Sequence, residues 1–259
     1  MSTRARPRAP VSSRSGSAAP PARAAGHAGK VATRRRRRLF VTGVVLAVLL
    51  AAAYGVAASP LLAVDHVRIR GLDRLTSADI ENAGGVHPGD AMVWIDTGAA
   101  VQGIEALPYV RDASLTREWP RTVRITVHER TPAAWVDGPG AKALVDGTGR
   151  VLELVYAVPP GMPQLLGVKL VPAPGGTVDA VGAARVAGTL HGVAAAETTS
   201  IEATDHGVVM KLASGPEIRL GAPTHIGVKL RAALAVLGAS ADVPVAYVDV
   251  SVPTNPVAG

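Results

Sequence analysis

The sequence predicts an α+β protein: a single N-terminal transmembrane helix, a small β-α-α-β-β domain, and a second, mainly-β domain with flanking helices. Three observations predict it. A twenty-residue stretch without a charge follows five consecutive arginines. Two segments that alternate apolar and polar residues bracket two helix-start signals. Beyond them, short strand-like runs recur between turns rich in Gly and Pro.

The N-terminal region explains the charge of the whole chain. Residues 1–38 hold eleven Lys and Arg and no Asp or Glu; removing those eleven from 27 leaves 16 basic residues against 20 acidic ones, a net of −4. The folded part is therefore mildly acidic, which argues against nucleic acid as its partner. Residues 1–38 contain few large apolar side chains and are expected to be a disordered basic cytoplasmic tail. Arg34, Arg35, Arg36, Arg37 and Arg38 flank only the N-terminal side of the apolar run 39–58. Twenty helical residues span about 30 Å, the thickness of a bilayer's hydrocarbon core. The positive-inside rule then places the tail in the cytoplasm and the C-terminus outside, with the arginines near acidic lipid headgroups at ~1 kcal/mol each. Val56-Ala57-Ala58 resembles a signal cleavage site, and Arg37-Arg38-Leu39-Phe40 resembles part of a twin-arginine signal. A cleaved signal has an apolar region of about 7–15 residues, so the longer run here favours a retained anchor.

Residues 64–131 form the first expected domain. Val64 to Arg70 alternates as a half-buried strand and ends at Gly71; Thr76 is a candidate N-cap for a helix over Ser77–Ala83, closed by Gly84-Gly85. Asp96 or Thr97 caps a second helix running to about Leu107. Val110–Arg117 and Arg121–Arg130 are strands joined by a turn at Trp119-Pro120, with Val123, Ile125 and Val127 on one face. The order strand–helix–helix–strand–strand makes a small sheet covered on one face by two helices.

Residues 132–252 form the second expected domain. Ala133–Val136 and Ala143–Val145 read as strands, and Asp146-Gly147-Thr148-Gly149 as the turn of a hairpin returning through Val151-Leu152. The carboxylate count there is wrong for a calcium loop. A helix is expected across Val178 to Ala196, strands over Thr199–Thr204, Val208–Leu212 and Glu217–Leu220, and a helix over Ile226–Leu237 that carries Lys229. The last strand is Val245 to Val252, closed by Pro253, and residues 253–259 are a short C-terminal tail. With aromatics at 3% and hydrophobic residues at 48%, the cores are built from Val, Leu, Ile and Ala.

Two sets of residues carry a resemblance. Val67-x-Ile69-x-Gly71, Gly89, Leu107-Pro108-x-Val110, Trp119-Pro120 and Val127-x-Glu129-Arg130-x-Pro132-x-Ala134 resemble a POTRA domain, specifically that of the FtsQ/DivIB family of bacterial cell-division proteins. Leu144-Val145-Asp146-x-x-Gly149, the Lys229 helix and Tyr247-Val248-Asp249-Val250-Ser251-x-Pro253 resemble the β-domain of the same family. The match covers about residues 30 to 257 and is loosest over 155–180.

No catalytic constellation stands out. There is no Gly-x-Ser-x-Gly elbow, His-Glu-x-x-His motif or phosphate loop. The absence of cysteine excludes a disulfide framework, a thiol nucleophile and Cys-based metal sites. His66, His87, His128, His191, His206 and His225 are scattered, so no metal or other cofactor is expected. Arg68, Arg70, Arg121 and Arg124 form either a site for an acidic partner or a solvated sheet face. The resemblance implies a non-enzymatic scaffold of the division septum, linking early division proteins to septal peptidoglycan synthesis. It implies that the extracytoplasmic β-domain binds small coiled-coil division proteins of the FtsB or DivIC type, together with FtsL and other divisome components. The expected route is β-augmentation on the last strand, Val245, Ala246, Tyr247, Val248, Asp249, Val250, Ser251 and Val252. Tyr247 either anchors the partner or packs against a neighbouring strand. Only seven residues follow Val252, which implies a smaller partner footprint than in relatives with a longer C-terminal arm. The competing readings are a membrane-anchored extracytoplasmic cell-wall enzyme, supported by topology alone, and a POTRA-type envelope assembly factor, which would ordinarily carry repeated modules.

Overall fold

The computed structural model describes residues 28–57, 62–240 and 244–259. The chain divides after Val56 into a helical segment and a folded unit.

Helix α1, Ala28–Ala57, contains the apolar run. Within it, Arg37–Gly55 is long and apolar enough to cross a membrane, and large side chains such as Leu39, Phe40 and Leu50 are exposed. The helix starts eleven residues before the expected anchor, so residues 28–38 are helical and not disordered. Ala, Lys and Arg are good helix formers, and elongating an existing helix avoids the cost of nucleation. Residues 1–27 of the expected tail lie outside the described residues.

The first domain follows the expected order: β1 (His66–Arg70), α2 (Ser77–Gly84), α3 (Thr97–Ala106), β2 (Val110–Glu118) and β3 (Thr122–Glu129). The sheet order is β1-β3-β2, with β1 parallel and β2 antiparallel to β3. Val123, Ile125 and Val127 are buried against Ile80 of α2 and Ile104 of α3. Thr76 and Asp79 form a reciprocal capping box, and Asp96 caps α3 through the amides of Gly98 and Ala99. The Gly71 and Glu129 of the family pattern both hold the loop after β1 against β3. A Cβ on Gly71, at φ +86°, would lie 2.0 Å from the Val127 carbonyl oxygen, so the loop after β1 needs glycine. The Glu129 carboxylate then accepts the N–H groups of Asp73, Arg74 and Leu75.

The second domain is one nine-stranded sheet with helices against it. Its elements are β4 (Pro132–Asp137), β5 (Lys142–Asp146), β6 (Val151–Val155), β7 (Gln164–Leu166), α4 (Val181–Thr189), α5 (Val193–Ala196), β8 (Thr198–Thr204), β9 (Gly207–Leu212), β10 (Glu217–Gly221), α6 (Ile226–Ala239), β11 (Tyr247–Asp249) and β12 (Val257–Ala258). The strand order is β12-β11-β10-β9-β8-β7-β4-β5-β6. Ala183, Ala184, Val186 and Ala187 of α4 pack into the core with Ile201, Ile218 and Leu220. Small residues let α4 approach closely: a Cβ on Gly188 would lie 2.6 Å from the Gly147 Cα.

Two expectations are corrected. The single helix over Val178–Ala196 is two helices, α4 and α5, broken at Leu190–Gly192, where Gly192 adopts positive φ. The last strand is three residues long, not eight, and residues 253–259 are no free tail, because β12 forms within them. The physical reason is local. The Asp249 carboxylate accepts the Ser251 amide and hydroxyl, turning the chain out of the strand direction.

The two domains meet at Arg130. Its Nε donates to the Val110 carbonyl of the first domain, and its Nη1 donates to Asp146 of the second at 2.7 Å. The Tyr109 hydroxyl donates to Glu153 on β6. Burial and the adjacent Glu153 carboxylate push the Tyr109 hydroxyl up to about 12.

Candidate partner-binding edge

Strand β11 runs parallel to β10, pairing Glu217 with Tyr247, Ile218 with Val248 and Arg219 with Asp249. Alternation sends Val248 into the core, followed there by Val250, and leaves Tyr247 and Asp249 on the outer face. The Tyr247 ring is half-buried, with the Arg219 guanidinium 4.0 Å from its centroid. Such a cation–π contact holds an aromatic side chain flat against the sheet. Tyr247 therefore does pack against a neighbouring strand.

Asp249 sits at the turn. The Ser251 hydroxyl and amide hold its carboxyl below the usual carboxylate range, with the charges of Arg219 and Lys229 adding to the effect. Lys229, buried on α6, donates from Nζ to the carbonyl oxygens of Leu220 and Ala222 at 2.7 and 2.8 Å. It ties α6 to the end of β10, immediately behind the outer strands. The sequence marked Lys229 only as part of a family pattern; the two carbonyl groups it satisfies are a tertiary feature.

The expectation treated Val245–Val252 as an edge with open backbone groups. In the structure β11 is not the edge. Strand β12 folds back antiparallel to it, placing Ala258 beside Val248 and Val257 beside Asp249. The Gly259 carbonyl accepts the N–H groups of Ala246 and Tyr247, and the Gly259 N–H donates to the Tyr247 carbonyl. Among the described residues, the last strand of the sheet at this end is β12. Ser251, Val252 and Val257 are exposed there, while Val245 and Tyr247 are partly covered. Val245 and Ala246 precede the strand, and Val250, Ser251 and Val252 follow it. The arginines expected to set topology lie on α1, where Arg37 and Arg38 are exposed.

The histidines do not converge. His128 contacts Asp112 at 2.6 Å and His87 lies 3.9 Å from Asp90, both on the surface. Among the described residues no group of three His, Asp or Glu side chains is placed to hold a metal ion.

A small sheet covered by two helices, followed by a β-rich domain, is the order of domains that the resemblance implied. A family model described as "POTRA domain, FtsQ-type" matches residues 62–130, and a second, "Cell division protein FtsQ/DivIB, C-terminal", matches residues 133–251. The chain is 31% identical to cell division protein FtsQ of Streptomyces collinus, over 92% of this chain and 91% of the relative. The chain belongs to the FtsQ/DivIB family. Other FtsQ proteins agree: that of Streptomyces venezuelae is 29% identical over 85% of this chain and 83% of its own length. That of Anaeromyxobacter sp. (strain K) is 32% identical over 73% of this chain and 70% of its own length. The POTRA match ends at Arg130 and the FtsQ/DivIB C-terminal match begins at Ala133, so the junction of the two models coincides with the Arg130 contact between domains.

Proposed function

We propose that this cell-division protein is a non-enzymatic scaffold of the division septum. Its α1 crosses the cytoplasmic membrane once, with the N-terminus inside and the POTRA and β-domains outside. It links early division proteins to septal peptidoglycan synthesis by binding small coiled-coil proteins of the FtsB or DivIC and FtsL types, among other divisome components. The observation that supports this reading is the C-terminal end of the nine-stranded sheet. There the Tyr247–Asp249 strand is backed by a rigid frame of Arg219, Asp249 and Lys229. Its sole outer neighbour among the described residues is the two-residue β12.

A partner strand has two ways to join this sheet. It pairs with the outer side of β12, or it displaces β12 and pairs with β11 over Val245–Val252. Both gain backbone hydrogen bonds from the partner and use Tyr247 as a flat anchor.

The test is capture of a coiled-coil division protein from the detergent-solubilised membrane fraction by the full chain, comparing wild type with Tyr247→Glu. Capture by wild type and a loss of at least tenfold in the variant, with thermal unfolding unchanged, is the expected outcome. Equal capture by both moves the site away from this strand, and capture by neither overturns the scaffold reading.

A further inference from the structure

The face of the POTRA sheet turned away from its helices is a flat, basic surface, and we infer that it docks onto the anionic lipid headgroups of the membrane in which the chain is anchored. The inference rests on the membrane anchoring in the functional reading above, and not on which division proteins bind.

Register defines the face. Rows across the sheet read His66–Thr122–Glu118, Arg68–Arg124–Thr116 and Arg70–Thr126–Ser114, with His128–Asp112 beyond them. The intervening residues Val67, Ile69, Val123, Ile125, Val127 and Leu115 pack into the core on the other side. No large apolar side chain stands in these rows. The hydroxyls of Ser114, Thr116, Thr122 and Thr126 leave a low surface between the charged groups.

The acids on and beside this face are already engaged. Asp65 pairs with Arg121 at 2.7 Å, Glu118 with Arg124, and Asp112 with both His128 and Arg111. Arg68 and Arg70 differ. Both are exposed, and among the described residues neither has a hydrogen-bond or ion-pair partner. They sit two residues apart on β1, which places their Cα atoms about 7 Å apart with both side chains on one face. Guanidinium groups bind phosphate oxygens bidentately, and they do so here on a body that is otherwise net acidic.

Position selects lipid over a soluble anion. Only residues 58–65 separate the end of α1 from β1, and eight residues reach at most about 28 Å when fully extended. The arginines of β1 are thus tethered within a short distance of a membrane surface, where each is expected to favour the docked state about fivefold. Docking would fix how the sheet is presented to its partners.

The chain has no cysteine, so Ser114→Cys gives a unique labelling point on the face, and Asn82→Cys on α2 gives one on the opposite side. Full-length protein carrying an environment-sensitive dye is reconstituted into phosphatidylcholine vesicles with or without 30% phosphatidylglycerol, with spin-labelled headgroups as quencher. The expected result is quenching at position 114 that exceeds quenching at 82. It should need the anionic lipid, fall in 0.5 M salt, and drop at least twentyfold in docking equilibrium for Arg68→Glu/Arg70→Glu with unchanged circular dichroism. Quenching at 114 that is equal in neutral vesicles, or that survives the double substitution, overturns the proposal. So does a label insensitive to anionic lipid but shifted by an extended peptide with alternating glutamates, which would assign the arginines to a peptide strand on the open edge of β1. No division protein is present in the assay, so its failure leaves the capture experiment independent.

Discussion

Asp146 accepts four hydrogen bonds through its carboxylate. One carboxylate oxygen accepts the Thr148 amide, the Thr148 hydroxyl and the Arg150 amide; the other accepts Arg130. Burial alone would raise its pKa, but Thr148, Arg130 and the backbone donors outweigh it and hold the group below the usual carboxylate range. A folded-state pKa below the unfolded value of about 3.9 contributes stability that is present above that pH. It is lost as pH falls through the lower, folded value. Asp146→Ala is expected to destabilise the folded unit by about 3 kcal/mol at pH 7, because it strands a largely buried guanidinium. Urea unfolding at pH 7 and pH 3 checks this, and the gap between variant and wild type should narrow at the lower pH. The Asp146-Gly147-Thr148-Gly149 turn was legible from sequence as a turn and not as a calcium loop. Its link to Arg130 was not, since sixteen residues and a domain boundary separate the pair.

Among the elements, β12 changes the reading of the site most. Residues 253–259 look like a tail in sequence because Pro253, Asn255 and Pro256 interrupt any strand pattern, and two paired residues leave no periodicity to detect. The structure seats Val257–Ala258 on β11 and so shields backbone groups that an open edge would present. Deleting residues 253–259 is expected to bare the outer side of β11 without disturbing Val248 or Val250 in the core. The detergent-solubilised truncated chain should then self-associate in a concentration-dependent way, seen as a shift in sedimentation velocity between 5 and 100 μM that full-length protein lacks. An unchanged sedimentation profile would mean that β12 does not guard the edge. The helices of the POTRA domain were the reverse case. Thr76, Asp79 and Asp96 are local capping signals, and both helix starts could be read directly. The break between α4 and α5 was not legible because Val178–Ala196 is mostly Ala and Val with glycines at 182, 188 and 192, so composition gave no single boundary.

At the scale of the molecule, the POTRA and β-domains are coupled, among the described residues, through side chains at their junction. Arg130 bonds Val110 on one side and Asp146 on the other, and Tyr109 reaches Glu153. Arg74 lies 5.5 Å from the Tyr109 ring centroid and steadies it. Arg130→Ala combined with Tyr109→Phe is expected to leave both cores folded while widening the distribution of angles between the domains. Small-angle scattering with masked detergent should give a larger radius of gyration for the variant, with near-unchanged far-ultraviolet circular dichroism. In the proposed scaffold this junction would pass an orientation set at one domain on to the other, which is how lipid docking of the POTRA sheet would bear on the partner edge of the β-domain.

Sequence by itself determined the long apolar N-terminal helix, the order of the POTRA elements, the hairpin at Asp146 and the family. Each of these rests on information within one helix length or one turn: a charge-free run, a cap, an alternation, or an ordered set of motifs. Tertiary structure alone decided which strand is the edge, that Tyr247 lies beneath Arg219, that Lys229 serves the end of β10, and that Arg130 joins the domains. The reason is physical. Strand pairing, burial of a charged side chain and contacts across a domain boundary join residues brought together by packing, and a sequence pattern records only how each residue suits its own neighbourhood in the chain.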